Sequence, residues 1–185
     1  MSKLTKKGVS VLLAVLMLLG CVLPGAIAAD AADGEQIYDL QGLKDAIAAA
    51  PADGALYEIE IMADIQLDGQ LTIATGQNIK IRSADEYTIK AAENTRLFYV
   101  SGGALTLEDF LMLEGAGEVR DRGCGIYVDG INASLVMNGG KISGNTAANF
   151  ATNRAIGGGG VFVNNGAFIM NAGEISGNST RWVFT

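Results

Sequence analysis

One stretch of this chain is written twice. Residues 158–179, GGGVFVNNGAFIMNAGEISGNS, repeat almost residue for residue what stands at 123–146, GCGIYVDGINASLVMNGGKISGNT. Val161, Phe162 and Val163 fall on Ile126, Tyr127 and Val128, Phe168 to Met170 on Leu135 to Met137, and 174–178 on 141–145. The one length difference inside the unit is the extra pair Ile131-Asn132. Self-similarity at this scale is the signature of a repeat array, in which each unit buries its apolar face only against its neighbours.

Each unit holds three short apolar runs. In the second they are GVFV, AFIM and EIS, separated by Asn164-Asn165-Gly166, Asn171-Ala172-Gly173 and Gly177-Asn178. Gly and Asn supply positive-φ corners that β-branched residues cannot. Inside the runs the period is two, as a strand with one buried face requires. Val161 and Val163 should point inward and Phe162 outward, Phe168 and Met170 inward and Ile169 outward, with Ile175 inward between Glu174 and Ser176. Three strands per unit, each lying on its counterpart in the next, make a coil of parallel strands. Going all the way round supplies the long crossover that parallel pairing needs. A hairpin array is the competing arrangement, but its turns should recur in pairs rather than in threes.

These two units resemble the coils of right-handed parallel β-helix proteins, the pectate-lyase-like class, and especially the Gly/Asn-rich repeats of bacterial surface and secreted proteins. The resemblance runs from about Leu56 to the C-terminus. It implies an all-β solenoid, a right-handed parallel β-helix with three short strands per coil. That class mixes polysaccharide lyases, hydrolases, adhesins and domains without known activity, so fold alone does not carry function.

Ahead of the coils, residues 30–36 read as a polar linker. Residues 39–50, DLQGLKDAIAAA, then place Leu40, Leu43, Ile47 and Ala50 on one helical stripe ended by Pro51. A helix in this position can cap the first coil, whose apolar end and strand edges would otherwise face water. Alternation follows at 57–61, with Ile59 and Ile61 opposite Glu58 and Glu60, and continues through Ile65/Leu67, Leu71/Ile73 and Ile79/Ile81. The expected organisation is residues 1–28 as a signal peptide, 29–55 as linker and capping helix, and 56–185 as a parallel β-helix of about five coils. Insertions fall after the third strand, at 116–122 and 147–157. The tail after 179 is apolar. It reads either as a lid formed by Trp182 and Phe184 or as the front piece of a longer protein, the reading favoured because terminal repeats normally need a polar outer face.

The first 28 residues carry Lys3, Lys6 and Lys7 and no acid, then an apolar run from Val9 to Leu23, a Pro24-Gly25 break and Ala26-Ile27-Ala28. This is the pattern of a secretory signal cleaved after Ala28. Two other fates compete: acylation at Cys21 within Leu18-Leu19-Gly20-Cys21, and an uncleaved anchor over 8–29. The expected localisation is secreted or cell surface. Removing 1–28 leaves a net charge of −10, which argues against nucleic acid and anionic membrane surfaces. The chain has no histidine, the commonest general base and metal ligand. Cys124 reads as a small core-facing residue, replaced by Gly159 one unit later.

Outward residues of stacked coils line up in columns. Tyr99, Tyr127 and Phe162 share one, about one strand spacing apart. It is either a ramp for sugar rings, hence a glycan-binding site, or an aromatic ladder that stabilises the sheet without a ligand. Asn145/Asn178 and Asn138/Asn171 form two corner ladders, for which a structural role suffices. The loop 118–122, EVRDR, with Glu108, Asp109 and Glu114 nearby in sequence, is the one cluster with the ingredients of an active site. Glycoside hydrolysis needs two carboxylates facing one bond. The lyase resemblance would add acids holding Ca²⁺ beside an arginine base, for which Arg120 or Arg122 with Asp121 is available. No catalytic signature is matched and a solvated loop is the simpler account, so no catalytic residue is assigned. No EF-hand loop, calcium nonapeptide or cysteine cluster is written, so neither a metal nor a cofactor is expected. GGGG at 157–160 lacks the Lys-Ser/Thr and helix of a phosphate loop.

The expected function is an exported, non-catalytic β-helix scaffold for surface adhesion or glycan binding. Its partners would be extracellular polysaccharide or a cell-surface component, with no nucleic acid and no membrane span after signal removal. Its open last coil would favour end-to-end self-association. The alternative is the N-terminal part of a polysaccharide lyase or glycoside hydrolase, and a third reading is a fragment with no function of its own.

Overall fold

A computed structural model describes residues 34–119, 122–149 and 157–182. The signal segment with Cys21, the Arg120-Asp121 pair, residues 150–156 of the second insertion and the tail 183–185 lie outside the described residues.

Alternating sequence becomes alternating burial. Ile59/Ile61, Ile79/Ile81, Leu105/Leu107 and Leu135/Met137 are all buried, while the residues between them face outward. These strands belong to a six-stranded sheet in the order β1 (Glu35–Ile37), β2 (Leu56–Ile61), β5 (Asn78–Ser83), β8 (Ala104–Leu107), β12 (Ser134–Met137) and β16 (Ala167–Met170). A second sheet stacks β3 (Ile65–Gln66), β6 (Thr88–Lys90), β9 (Met112–Glu114), β13 (Lys141–Ser143) and β17 (Glu174–Ser176). A third stacks β4 (Leu71–Ile73), β7 (Phe98–Ser101), β11 (Ile126–Asp129) and β15 (Val161–Asn164). Pairing between these strands is parallel throughout. From β4 onward the chain visits the three sheets in fixed rotation, one strand in each, before beginning the next layer. The fold is therefore mostly β, built of stacked all-parallel sheets, and compatible with a parallel β-helix.

Register follows the repeat. Ile126 to Asp129 lie on Val161 to Asn164, Ser134 to Met137 on Ala167 to Met170, and Lys141 to Ser143 on Glu174 to Ser176. One continuous apolar core runs through the layers, with Phe98 its largest fully buried side chain. In the last layer Val163 and Met170 are 36% and 44% exposed, whereas their counterparts Val128 and Met137 are fully buried.

The one helix among the described residues, α1 (Leu40–Ala49), starts at Asp39, whose carboxylate accepts the Gly42 N–H at 2.8 Å. Leu43, Ala46 and Ile47 join the strand core. The Gln77 side chain donates to the Ile47 and Ala50 carbonyls at 2.7 and 3.1 Å, satisfying acceptors that a helix end leaves open.

Two elements depart from the sequence reading. Residues 35–37, read as linker, form β1 and pair with Ile59 to Ile61. Three residues with a single buried side chain, Ile37, are too short for alternation to show. The second is a further sheet of β10 (Glu118–Val119), β14 (Thr146–Asn149) and β18 (Ser179–Trp182), also parallel, so layers from Glu118 onward have four strands rather than three. Its buried face is small: Val119 and Ala147 close with Cys124 into a satellite cluster, and Ala148 is also buried. Side chains this small leave no hydrophobic pattern to read.

Corners limit what can stand at them. A Cβ on Gly139 would come within 2.7 Å of the Asp109 backbone, whereas one on Gly69 meets nothing within 4 Å. Gly139→Ala should therefore cost about 1–3 kcal/mol, as overpacking against backbone does. Gly69→Ala should be neutral within error, and urea denaturation of both variants checks the contrast. A second prediction concerns β1. The Tyr57 hydroxyl donates to the Glu35 carboxylate. That bond, then burial, then the carboxylate's charge push the phenol up to about 12 from 10.0. A raised folded value means that the contribution is complete below pH 10 and lost as pH climbs from 10 towards 12. The stability advantage of wild type over Tyr57→Phe should hold below pH 10 and shrink across that window in denaturation at stepped pH.

Candidate functional site

Parallel register places the outward residues of β7, β11 and β15 directly over one another, and these are Tyr99, Tyr127 and Phe162. The Tyr99 and Tyr127 rings stack with centroids 5.4 Å apart and planes 21° from parallel. Phe162 follows at 5.6 Å, tilted by 53°. Arg96, itself buried, sets its guanidinium carbon 5.0 Å from the Tyr127 centroid and 6.0 Å from that of Tyr99. Arg122 stands 5.4 Å from the Phe162 centroid. Both arginines are within cation–π range. The rings thus turn much of their faces to one another and to guanidinium groups. Close packing needs glycine on the approach to β11 and β15: Gly123 and Gly158 both have positive φ, and a Cβ there would press on Tyr127 and Phe162.

Beside the column lies a polar triad. Asp129 accepts from the Tyr99 hydroxyl at 3.1 Å and from the Asn164 amide at 2.8 Å. The corner amides run along the stack in the same way. Asn171 donates to Asn138 at 2.8 Å, and Asn138 donates to Glu108 at 3.0 Å. The Asn178 side-chain oxygen accepts from both the backbone and the side chain of buried Asn145, at 3.1 and 2.9 Å.

Charged residues pair by register too. Lys80 meets Glu58 at 2.6 Å, Arg82 meets Glu60 at 3.2 Å, Lys90 meets Glu114 at 3.0 Å and Lys141 meets Glu174 at 3.3 Å. Each pair is a directly opposed cross-strand couple. A bond from Ser176, then the Lys141 ammonium, hold the Glu174 carboxyl below its usual range.

The acid-rich cluster expected from sequence is dispersed among the described residues. Glu114 pairs back to Lys90, Glu118 pairs with Arg181, and Arg122 lies over Phe162. Glu108 and Asp109 sit at the β8–β9 corner with Glu58, Lys80 and Arg82. Among the described residues no three His, Cys, Asp or Glu side chains are grouped to hold a metal. Sequence reasoning found the column and both amide ladders but missed Arg96, whose place over two rings is set by a turn rather than a repeat. It also missed the cross-strand ion pairs, although their alternating signs at 58/80, 60/82 and 141/174 were there to be aligned.

Comparison with known protein families, with curated proteins and with solved structures finds no match for this chain.

Tyr127 is the middle ring of the column, so Tyr127→Ala removes both ring contacts together with the Arg96 contact to that ring. It should cost about 2–4 kcal/mol in chemical denaturation. Tyr99→Phe, which loses only the hydroxyl bond to Asp129, should cost about 1 kcal/mol.

Proposed function

We propose that this chain is an exported, non-catalytic scaffold, a right-handed parallel β-helix of the pectate-lyase-like kind, that presents its outer surface to extracellular glycans or to a neighbouring cell surface. One observation carries the scaffold reading. Among the described residues, four ammonium or guanidinium groups and both amide ladders are coupled to partners along the stack, layer to layer, instead of converging on one point. An active site needs the reverse, with groups from several strands directed at one reacting atom. The glycan reading draws support from the Tyr99–Tyr127–Phe162 column and the hydrogen-bonding groups of Asp129 and Asn164 beside it. Export draws its support from the sequence of residues 1–28, with 29–55 as lead-in and 56–185 as the helical body. The buried face of α1 and its tie to Gln77 support a capping role for that helix.

The test is retention without turnover. The purified chain should co-sediment with an insoluble polysaccharide or a bacterial cell-wall preparation, and should release neither reducing ends nor unsaturated sugar ends from soluble glycans over a day. Release of either product by the pure chain would overturn the non-catalytic assignment.

A further inference from the structure

The β8–β9 corner carries a residue that folding does not explain. Phe110 has φ 63°, in the left-handed region, and is 57% exposed. In the two following layers the same corner turns through a positive φ at Gly140 (73°) and Gly173 (90°), where no side chain is strained. A phenylalanine here accepts the backbone penalty that glycine avoids. With more than half its surface in water, it recovers little of that by burial.

The ring stands between two open clefts. One, of about 350 Å³, is walled by Glu58, Lys80 and Arg82 of β2 and β5. The other, of about 750 Å³, is walled by Met112 and by Lys141 and Glu174 of β13 and β17. Phe110 and Asp109 belong to both walls. Together the clefts form a strip of mixed polar and apolar lining that crosses the corner from β2 to β17, with one exposed aromatic ring at its middle. The glycines of the next two corners keep the floor beside the ring low: Gly140 and Gly173 line the larger cleft without side chains.

The chemistry of the walls selects the ligand. Lys80 and Lys141 are each matched by a carboxylate, Glu58 and Glu174, and Asp109 and Glu86 add further acid. An anionic ligand would meet excess negative charge. An apolar one would find Phe110 and Met112 set among charged side chains. A neutral sugar chain satisfies both conditions. Its hydroxyls bond to paired charges from either side, and the C–H face of one ring rests on an exposed aromatic. Phe110 is more exposed than the rings of the column, which are half-buried and turn much of their faces to one another.

We infer that the Phe110 strip is a binding site for a neutral glycan. This rests on the glycan reading above and moves its centre from the Tyr99–Tyr127–Phe162 column to this corner. The test is native affinity electrophoresis of the full chain in gels cast with dextran, β-glucan, galactomannan or xylan, and with polygalacturonate as the acidic counterpart. The wild-type chain should be retarded by at least one neutral polymer and not by polygalacturonate. Phe110→Gly suits the left-handed backbone, so it should keep or raise the melting temperature while weakening retardation at least ten-fold. If folded Phe110→Gly is retarded like wild type, this site is wrong and the glycan reading survives elsewhere on the surface. Retardation by polygalacturonate alone overturns the neutral assignment. If no polymer retards the wild-type chain, both this inference and the glycan reading fall.

Discussion

Everything in this structure depends on parallel strands stacking in register at a repeat of about 4.8 Å. At that spacing each side chain has its own counterpart above and below as nearest neighbour, so a residue type is acceptable only if it tolerates something like itself. Apolar residues meet the condition inside, as Ile79, Leu105 and Leu135 do in one column, with Phe168 packed against its end. Outside it is met in three ways: rings stack, amides bond head to tail, and charges alternate in sign. Tyr99–Tyr127–Phe162, Asn138–Asn171 and Glu58–Lys80 are three solutions to one problem.

Such a surface fits the proposed display role. Groups coupled along the stack are held by their partners and are not directed at a common point. The proposed glycan site lies where the stacking rule is broken. Phe110 breaks it: its corner has one residue more than the corners of the next two layers, and its ring projects where theirs carry glycine. The contrast between a ring enclosed by its column and a ring standing clear of it separates an aromatic that holds layers together from one available to a ligand.

Much of the fold was legible because the repeat is its own alignment. Matching 123–146 to 158–179 gave the register of β11 on β15, β12 on β16 and β13 on β17, and with it the aromatic column and the amide ladders. Period-two alternation located β2 and β5 although they share no wording with the repeat. What failed to show was short or small. β1 has one buried side chain, and the fourth sheet buries alanines and a valine, so neither leaves a hydrophobic period.

The sequence by itself determined the parallel stacking of the repeat, the inward and outward faces of its three strands, and the aromatic and amide columns. These follow from residue type and spacing, and in-register pairing converts spacing directly into contact. Only the tertiary structure decided what lies over the column and which corner stands open. Arg96 reaches Tyr127 from the turn before β7, and the strip around Phe110 draws on strands from β2 to β17. Those meetings depend on how corners of unequal length bring distant layers together. That is a property of the wound chain and not of any one stretch of it.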